Sequence, residues 1–148
     1  MANQPAVLEA FLALGGALAK GAFDPKTREA IALAVAGANS CDYCASAHSA
    51  ISRSLKVDPK EIEHRLAGRS DDPKLQALLL FARKIVDSRG LVSDVDIAAV
   101  KAAGYDDAAI TEVTANVVAN IFTNYINHVA DTEIDFPVVR TRDVMPAA

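Results

Sequence analysis

The sequence predicts an all-α fold, and three observations carry that expectation. Of 148 residues, 51% are hydrophobic but only 5% are aromatic and none is Trp, so the apolar mass is Ala, Leu, Ile and Val. Small side chains of high helix propensity suit closely packed helices. Aspartate is followed by proline at Asp24-Pro25, Asp58-Pro59 and Asp72-Pro73. Aspartate accepts from the free N–H groups of a first helical turn, and proline just inside that turn lacks the N–H that would go unpaired. No stretch before Val138-Val139 alternates apolar and polar residues as a half-buried strand does.

These marks predict seven helices in one domain spanning 1–148. The first, at about 5–20, holds the apolar run Phe11 to Ala19. That run has the length of a signal peptide's core, but Glu9 precedes it and no basic segment does, so it reads as an amphipathic helix of the mature domain. Asp24 starts a helix at about 25–38, and Asn39-Ser40 looks like the N-cap of another at about 41–55. Asp58 opens a short helix at about 59–67 that Gly68 stops, and Asp72 opens one at about 73–88 before Gly90. Ser93 with Asp96 gives a capping-box-like start to a helix at about 94–103, ended by Gly104. The last helix runs over about 106–130, and the tail from Thr132 is irregular.

The 106–130 helix is unusual. From Val113 to Ala130 it carries no acidic or basic residue except His128. Its apolar stripe of Ile110, Val113, Val117 and Ile121 is widened by Val118, Phe122, Tyr125, Ile126 and Val129. Asn116, Asn120, Asn124 and Asn127 lie on another face. A helix without charges over several turns is expected to be buried nearly all round. Its asparagines then bond neighbouring helices, or the face lines a subunit interface or an active-site cavity.

Composition excludes some functions. The formal net charge is −4 and no lysine or arginine cluster stands out, which argues against a nucleic-acid partner. No run reaches the roughly 18 apolar residues of a membrane span. A chain of this length buries roughly 70% of its unfolded surface and needs no disulfide staples. Two cysteines, both in one C-x-x-C, fit a cytoplasmic protein whose cysteines work.

That motif, Cys41-Asp-Tyr-Cys44 followed by His48, carries the chemistry. At a helix start, unpaired N–H groups and the helix dipole favour a thiolate. Cysteines so placed have pKa values of roughly 3.5–7.5, against about 8.5 for a free thiol. Cys44 and His48 lie one turn apart on one helical face, so His48 is a candidate proton partner. Cys41 and Cys44 are close enough to meet. Glu29, on the preceding helix, is brought back beside the cysteines by a helical hairpin, though periodicity does not say whether it reaches them. Tyr43 offers a hydroxyl to the same site.

Glu29-x11-Cys41-x2-Cys44-x3-His48 resembles the signature of the alkylhydroperoxidase D-like branch of the carboxymuconolactone decarboxylase family. Asn124-Tyr-Ile-Asn-His128-Val-Ala-Asp-Thr132 is similar to the C-terminal helix of small members of that branch. The resemblance implies an all-helical subunit in a symmetric homo-oligomer, a trimer or hexamer. It implies reduction of a hydroperoxide at a dithiol, with no metal or organic cofactor. Cys44 matches the peroxidatic cysteine, Cys41 the one that closes the disulfide, and Glu29 and His48 members of a proton relay. An external dithiol, lipoyl-bearing or thioredoxin-like, restores the thiols. One departure stands out. Tyr43 occupies the place of a further relay histidine in the best-known peroxidase of the family, and tyrosine, with a pKa near 10, is a poor base at neutral pH.

Other readings remain beside this one. C-x-x-C with His48 and Glu29 could ligate zinc in a structural protein. The dithiol could serve a dithiol-disulfide oxidoreductase or a redox sensor that does not use peroxide. Decarboxylation, which the family name suggests, does not depend on such a dithiol. His64, among Glu61, Glu63 and Arg65, reads as a surface residue, and His128 either bonds the end of its helix or lines the site.

Overall fold

Asp24, Asp58 and Asp72 each accept a hydrogen bond from a first-turn N–H: Thr27 at 2.8 Å, Lys60 at 2.9 Å and Lys74 at 2.9 Å. Such a cap stabilises a helix start by about 1 kcal/mol. In the computed structural model, which describes residues 1–144, these caps open α2 (Pro25–Ala38), α4 (Pro59–Leu66) and α5 (Pro73–Asp87). Ser93 and Asp96 form a complete reciprocal capping box before α6 (Asp94–Ala102). Gly68, Gly90 and Gly104, at φ of +72°, +85° and +91°, end the helices before them in the left-handed region. With α1 (Pro5–Leu18), α3 (Asp42–Ser54) and α7 (Asp107–Ala130), the seven expected helices are present. A 3₁₀ turn at Thr141–Asp143 follows, and there is no strand among the described residues, Val138-Val139 included. The last four residues of the expected irregular tail, 145–148, lie outside the described residues.

Two expectations need correction. Asn39-Ser40 does not cap α3 but ends α2. Ser40 has φ of +54°, its N–H reaches Gly37 O at 3.2 Å, and Cys41 N–H reaches Ala36 O at 2.9 Å. That pair of bonds satisfies the last carbonyls of α2 in a Schellman arrangement. Cys41 itself caps α3, its Sγ accepting the Cys44 N–H at 3.3 Å.

The second correction concerns the core. α7 is not buried all round: Val118, Phe122, Tyr125 and Val129 are exposed. The central helix is α2, on which α3, α4, α5 and α7 all pack. Every residue from Ala30 to Gly37 is buried. Alanines between Ile31, Leu33 and Val35 let neighbours approach α2 from every side, so it buries without a charge-free run as long as that of α7.

Two apolar clusters meet on α2. Ile31, Ala34 and Val35 pack with Leu78, Leu79, Val113 and Val117 from α5 and α7. Leu33 and Ala36 pack with Cys41, Cys44, Ile62 and Leu66 from the α3–α4 side. The cysteines are therefore part of the core wall. α1 packs on α7 with no buried residue of its own, Phe11 stacking on Phe122 at 6.2 Å between centroids. No helix is long and apolar enough to cross a membrane.

Candidate active site

The tight end of α2 folds α3 back along it. Glu29 of α2 thereby meets His48 of α3, with Oε2 2.8 Å from Nδ1. A carboxylate at Nδ1 holds the proton there and leaves Nε2 free to exchange one. Cys44, one turn before His48, is 2% exposed, and Cys41 is 1% exposed. Both thiols are free.

The surroundings divide the two thiols. The Cys44 pKa is pulled from 9.0 down to about 6. The largest cause is the hydrogen bond from the Cys41 thiol; burial opposes it, and Asn127, Asn124 and the charge of His48 add to it. Cys41 is pushed well above the ordinary thiol range, chiefly because its proton is held by Cys44 and next because it is buried. The N–H of Cys44 pulls Cys41 the other way and is outweighed. Cys44 is thus the thiolate of the pair near neutral pH.

α7 supplies the amides. Asn127 Nδ2 donates to Cys44 Sγ at 3.3 Å. Asn124, fully buried, accepts from Asn39 Nδ2 at 2.9 Å, and its own Nδ2 has no close acceptor. A buried donor without a partner costs free energy, and a negative charge nearby lessens that cost, so Asn124 favours the thiolate form of Cys44. Asn116 and Asn120 bond carbonyls of their own helix, Glu112 O and Asn116 O.

Each cysteine lines its own cavity. One, of about 400 Å³, is lined by Glu29, Cys44 and His48 together with Phe11, Leu18, Ala32 and Ala119 and the amides of Asn116, Asn120 and Asn127. The other, of about 690 Å³, is lined by Cys41, Asp42, His128, Asp131, Glu133, Val138 and Arg140. Tyr43 and Asn127 border both. The structure therefore brings Glu29, Cys44, His48 and Tyr43 to one cavity and puts His128 on the other. Burial, then the charge of Asp135, pushes the Tyr43 hydroxyl above its ordinary value.

Two contributors were not read from the sequence. Asn127 belonged to a visible stripe, but nothing in the spacing says which amide meets a sulfur 83 positions away. Asp42, inside the motif, ties the tail to α3: its Oδ1 accepts from Thr141 N and Oγ1 at 2.8 Å each, and its Oδ2 pairs with Arg140 at 3.0 Å. Those bonds hold its carboxyl below the usual range against its burial.

Zinc would need the thiols, His48 and Glu29 to converge. Among the described residues the side chains that gather at ligand spacing are Glu61, His64 and Asp71 instead.

The model of the carboxymuconolactone decarboxylase family matches residues 5–87, which include α2, α3 and the whole signature. An uncharacterized protein of Haemophilus influenzae is 54% identical over 46 residues, covering 30% of this chain and 41% of its own length. The chain thus matches less than half the length of that relative. Among solved structures, the alkylhydroperoxidase AhpD core protein of Ralstonia eutropha JMP134, described as an uncharacterized peroxidase-related protein, is 28% identical with a TM-score of 0.79 over 86% of this chain and 70% of that one. The debrominase Bmp8 bound to 2,3,4-tribromopyrrole is 22% identical, with a TM-score of 0.80 over 97% of this chain and 77% of that one, and shares the fold. The chain belongs to the carboxymuconolactone decarboxylase family, in its alkylhydroperoxidase D-like branch.

Proposed function

We propose that the protein is a thiol peroxidase that reduces hydroperoxides at Cys44. The observation that carries this reading is the setting of Cys44: Asn127 donates to its sulfur at 3.3 Å, and it lines a cavity together with the Glu29–His48 pair, surroundings that pull its pKa down. The thiolate attacks the distal oxygen of the peroxide, the O–O bond breaks, and the proximal oxygen leaves as alkoxide. His48, held by Glu29, supplies its proton, and Cys44 becomes a sulfenic acid. Cys41, the protonated partner, attacks that sulfur and releases water as the disulfide forms. A dithiol then returns two electrons and two protons.

The first cavity supports an organic hydroperoxide. About 400 Å³ with apolar walls of Phe11, Leu18, Ala32 and Ala119 exceeds what hydrogen peroxide fills. The same observation favours a second reading, in which the dithiol reduces another organic acceptor; the fold also occurs in a debrominase bound to 2,3,4-tribromopyrrole. Consumption of cumene hydroperoxide with dithiothreitol as reductant, lost in Cys44→Ser, supports the first reading. Absence of peroxide consumption by the fully reduced protein leaves the second.

A further inference from the structure

We infer that the cavity over Cys41 is the port for the reductant, and that the dithiol attacks Cys41 rather than Cys44. This rests on the dithiol reading above and adds to it a second site and a direction of attack.

Thiol–disulfide exchange is an in-line displacement, so the attacking sulfur approaches its target from the side away from the leaving sulfur. Cys44 lines the first cavity and not the second, and Cys41 lines the second and not the first. Of the two cysteines, a thiol in the second cavity therefore has only Cys41 in its wall. The leaving group points the same way. The better-stabilised thiolate leaves faster, and with Cys41 bonded to the reductant the amides of Asn127 and Asn124 and the charge of His48 still favour a thiolate at Cys44. Asn127 waits to receive it, its Nδ2 being 3.3 Å from Sγ in the reduced site.

The steps balance. One thiolate of the dithiol bonds to Cys41 Sγ, the S–S bond breaks, and Cys44 departs as thiolate. The second thiol of the reductant attacks its own sulfur in the mixed disulfide and expels Cys41, which takes the proton. The reductant is oxidised to a disulfide and both cysteines are reduced.

The lining states which dithiols fit. Arg140 is matched by Asp42 at 3.0 Å, which leaves the carboxylates of Asp131 and Glu133 to set the sign of the mouth. A neutral or cationic thiol on a slender arm suits it, and an anionic one is repelled. The walls are α7's C-terminal end and a tail segment fastened to α3 through Asp42 and through Ser46, whose Oγ accepts Val139 N–H at 2.9 Å. Val138, 56% exposed, stands in that wall.

The test uses protein oxidised with diamide, so that it does not depend on peroxide turnover. Cysteamine, a cationic monothiol, is added, and the mixture is quenched with acid and alkylated. Tandem mass spectrometry then locates the mixed disulfide. The expected product carries cysteamine on Cys41 and the alkyl group on Cys44. Cysteamine on Cys44 overturns the proposal. As a second measurement, Val138→Trp is expected to slow reduction by dithiothreitol about tenfold or more by closing access. Reduction slowed by Ala119→Phe, which narrows the first cavity, but not by Val138→Trp also overturns it and leaves the peroxidase reading standing. Failure of peroxide consumption with cysteamine still on Cys41 would sink the peroxidase reading alone.

Discussion

Asn127 on α7 donates to Cys44 Sγ at 3.3 Å, joining residues 83 positions apart. This contact places a long, nearly uncharged helix in the chemistry of a short motif. It also gives the asparagine stripe a physical reason, since an amide stabilises a thiolate without adding a charge that would compete with His48.

The alkylation rate of the reduced protein should therefore titrate with a midpoint of about 6. Asn127→Ala removes one donor to the thiolate and should raise that midpoint by about one pH unit. Iodoacetamide kinetics against pH measure both values. A midpoint near 9 in the wild type would remove the thiolate from the account of the site.

Stability should follow the same titration. Between about 6 and 9.0 the folded chain holds Cys44 as thiolate where the unfolded chain holds it as thiol. The unfolded state binds more protons there, so the stability of the reduced protein rises with pH across that window and is lost as pH falls through about 6. Above the ordinary thiol value the raised Cys41 works against further gain. Urea unfolding of reduced wild type and Cys44→Ser at the two ends of the window should show the difference growing with pH.

His48→Ala should lower peroxide turnover by about 10²–10⁴-fold with helicity unchanged. Glu29→Gln should act through the same step, because it loses the carboxylate 2.8 Å from Nδ1 and with it the fixed tautomer. Stopped-flow oxidation across pH 5 to 8, with circular dichroism as the control, separates rate from fold. Full activity in either variant takes that residue out of proton transfer.

Much of this could be read from the residues and some could not. Capping chemistry is local, so Asp24, Asp58, Asp72 and Ser93 announced their helices within three positions. The end of α2 misled because Asn39-Ser40 suits either a helix start or a left-handed stop, and only the Cys41 N–H bond to Ala36 O decides. The absence of charge on α7 does not distinguish a buried helix from one with an exposed apolar face, and packing settled it in favour of α2 as the centre. Glu29 and His48 lie 19 positions apart, and their meeting depends on the angle of a hairpin that no spacing encodes.

The exposed face of α7 bears on assembly. Val118, Phe122, Tyr125 and Val129, at i, i+4, i+7 and i+11, expose apolar side chains along one side of α7, and such a stripe suits a helical partner. A symmetric homo-oligomer is expected, and light scattering should report a mass several times 15.6 kDa. Tyr125→Asp, which puts a charge on that face, should lower it. A concentration-independent monomer would contradict the expectation.

Releasing the tail should loosen the wall over Cys41. Asp42→Ala removes the acceptor of Thr141 N and Oγ1 and the partner of Arg140. A loss of about 1–3 kcal/mol of stability is expected from the orphaned donors, with hydrogen exchange rising at 138–141. Unchanged exchange there would mean that other contacts hold the tail.

The most direct measurement mixes fully reduced protein with one equivalent of cumene hydroperoxide, without reductant, and follows thiols, mass and product together. Thiol-peroxidase chemistry at Cys44 requires one cumyl alcohol per chain, loss of both free thiols and a mass lower by about two hydrogens. In Cys41→Ser the same mixture should stop at a sulfenic acid on Cys44 that dimedone traps. Intact peroxide beside two free thiols in the wild type, or a sulfenic acid found on Cys41 in Cys44→Ser with alcohol still produced, would contradict it.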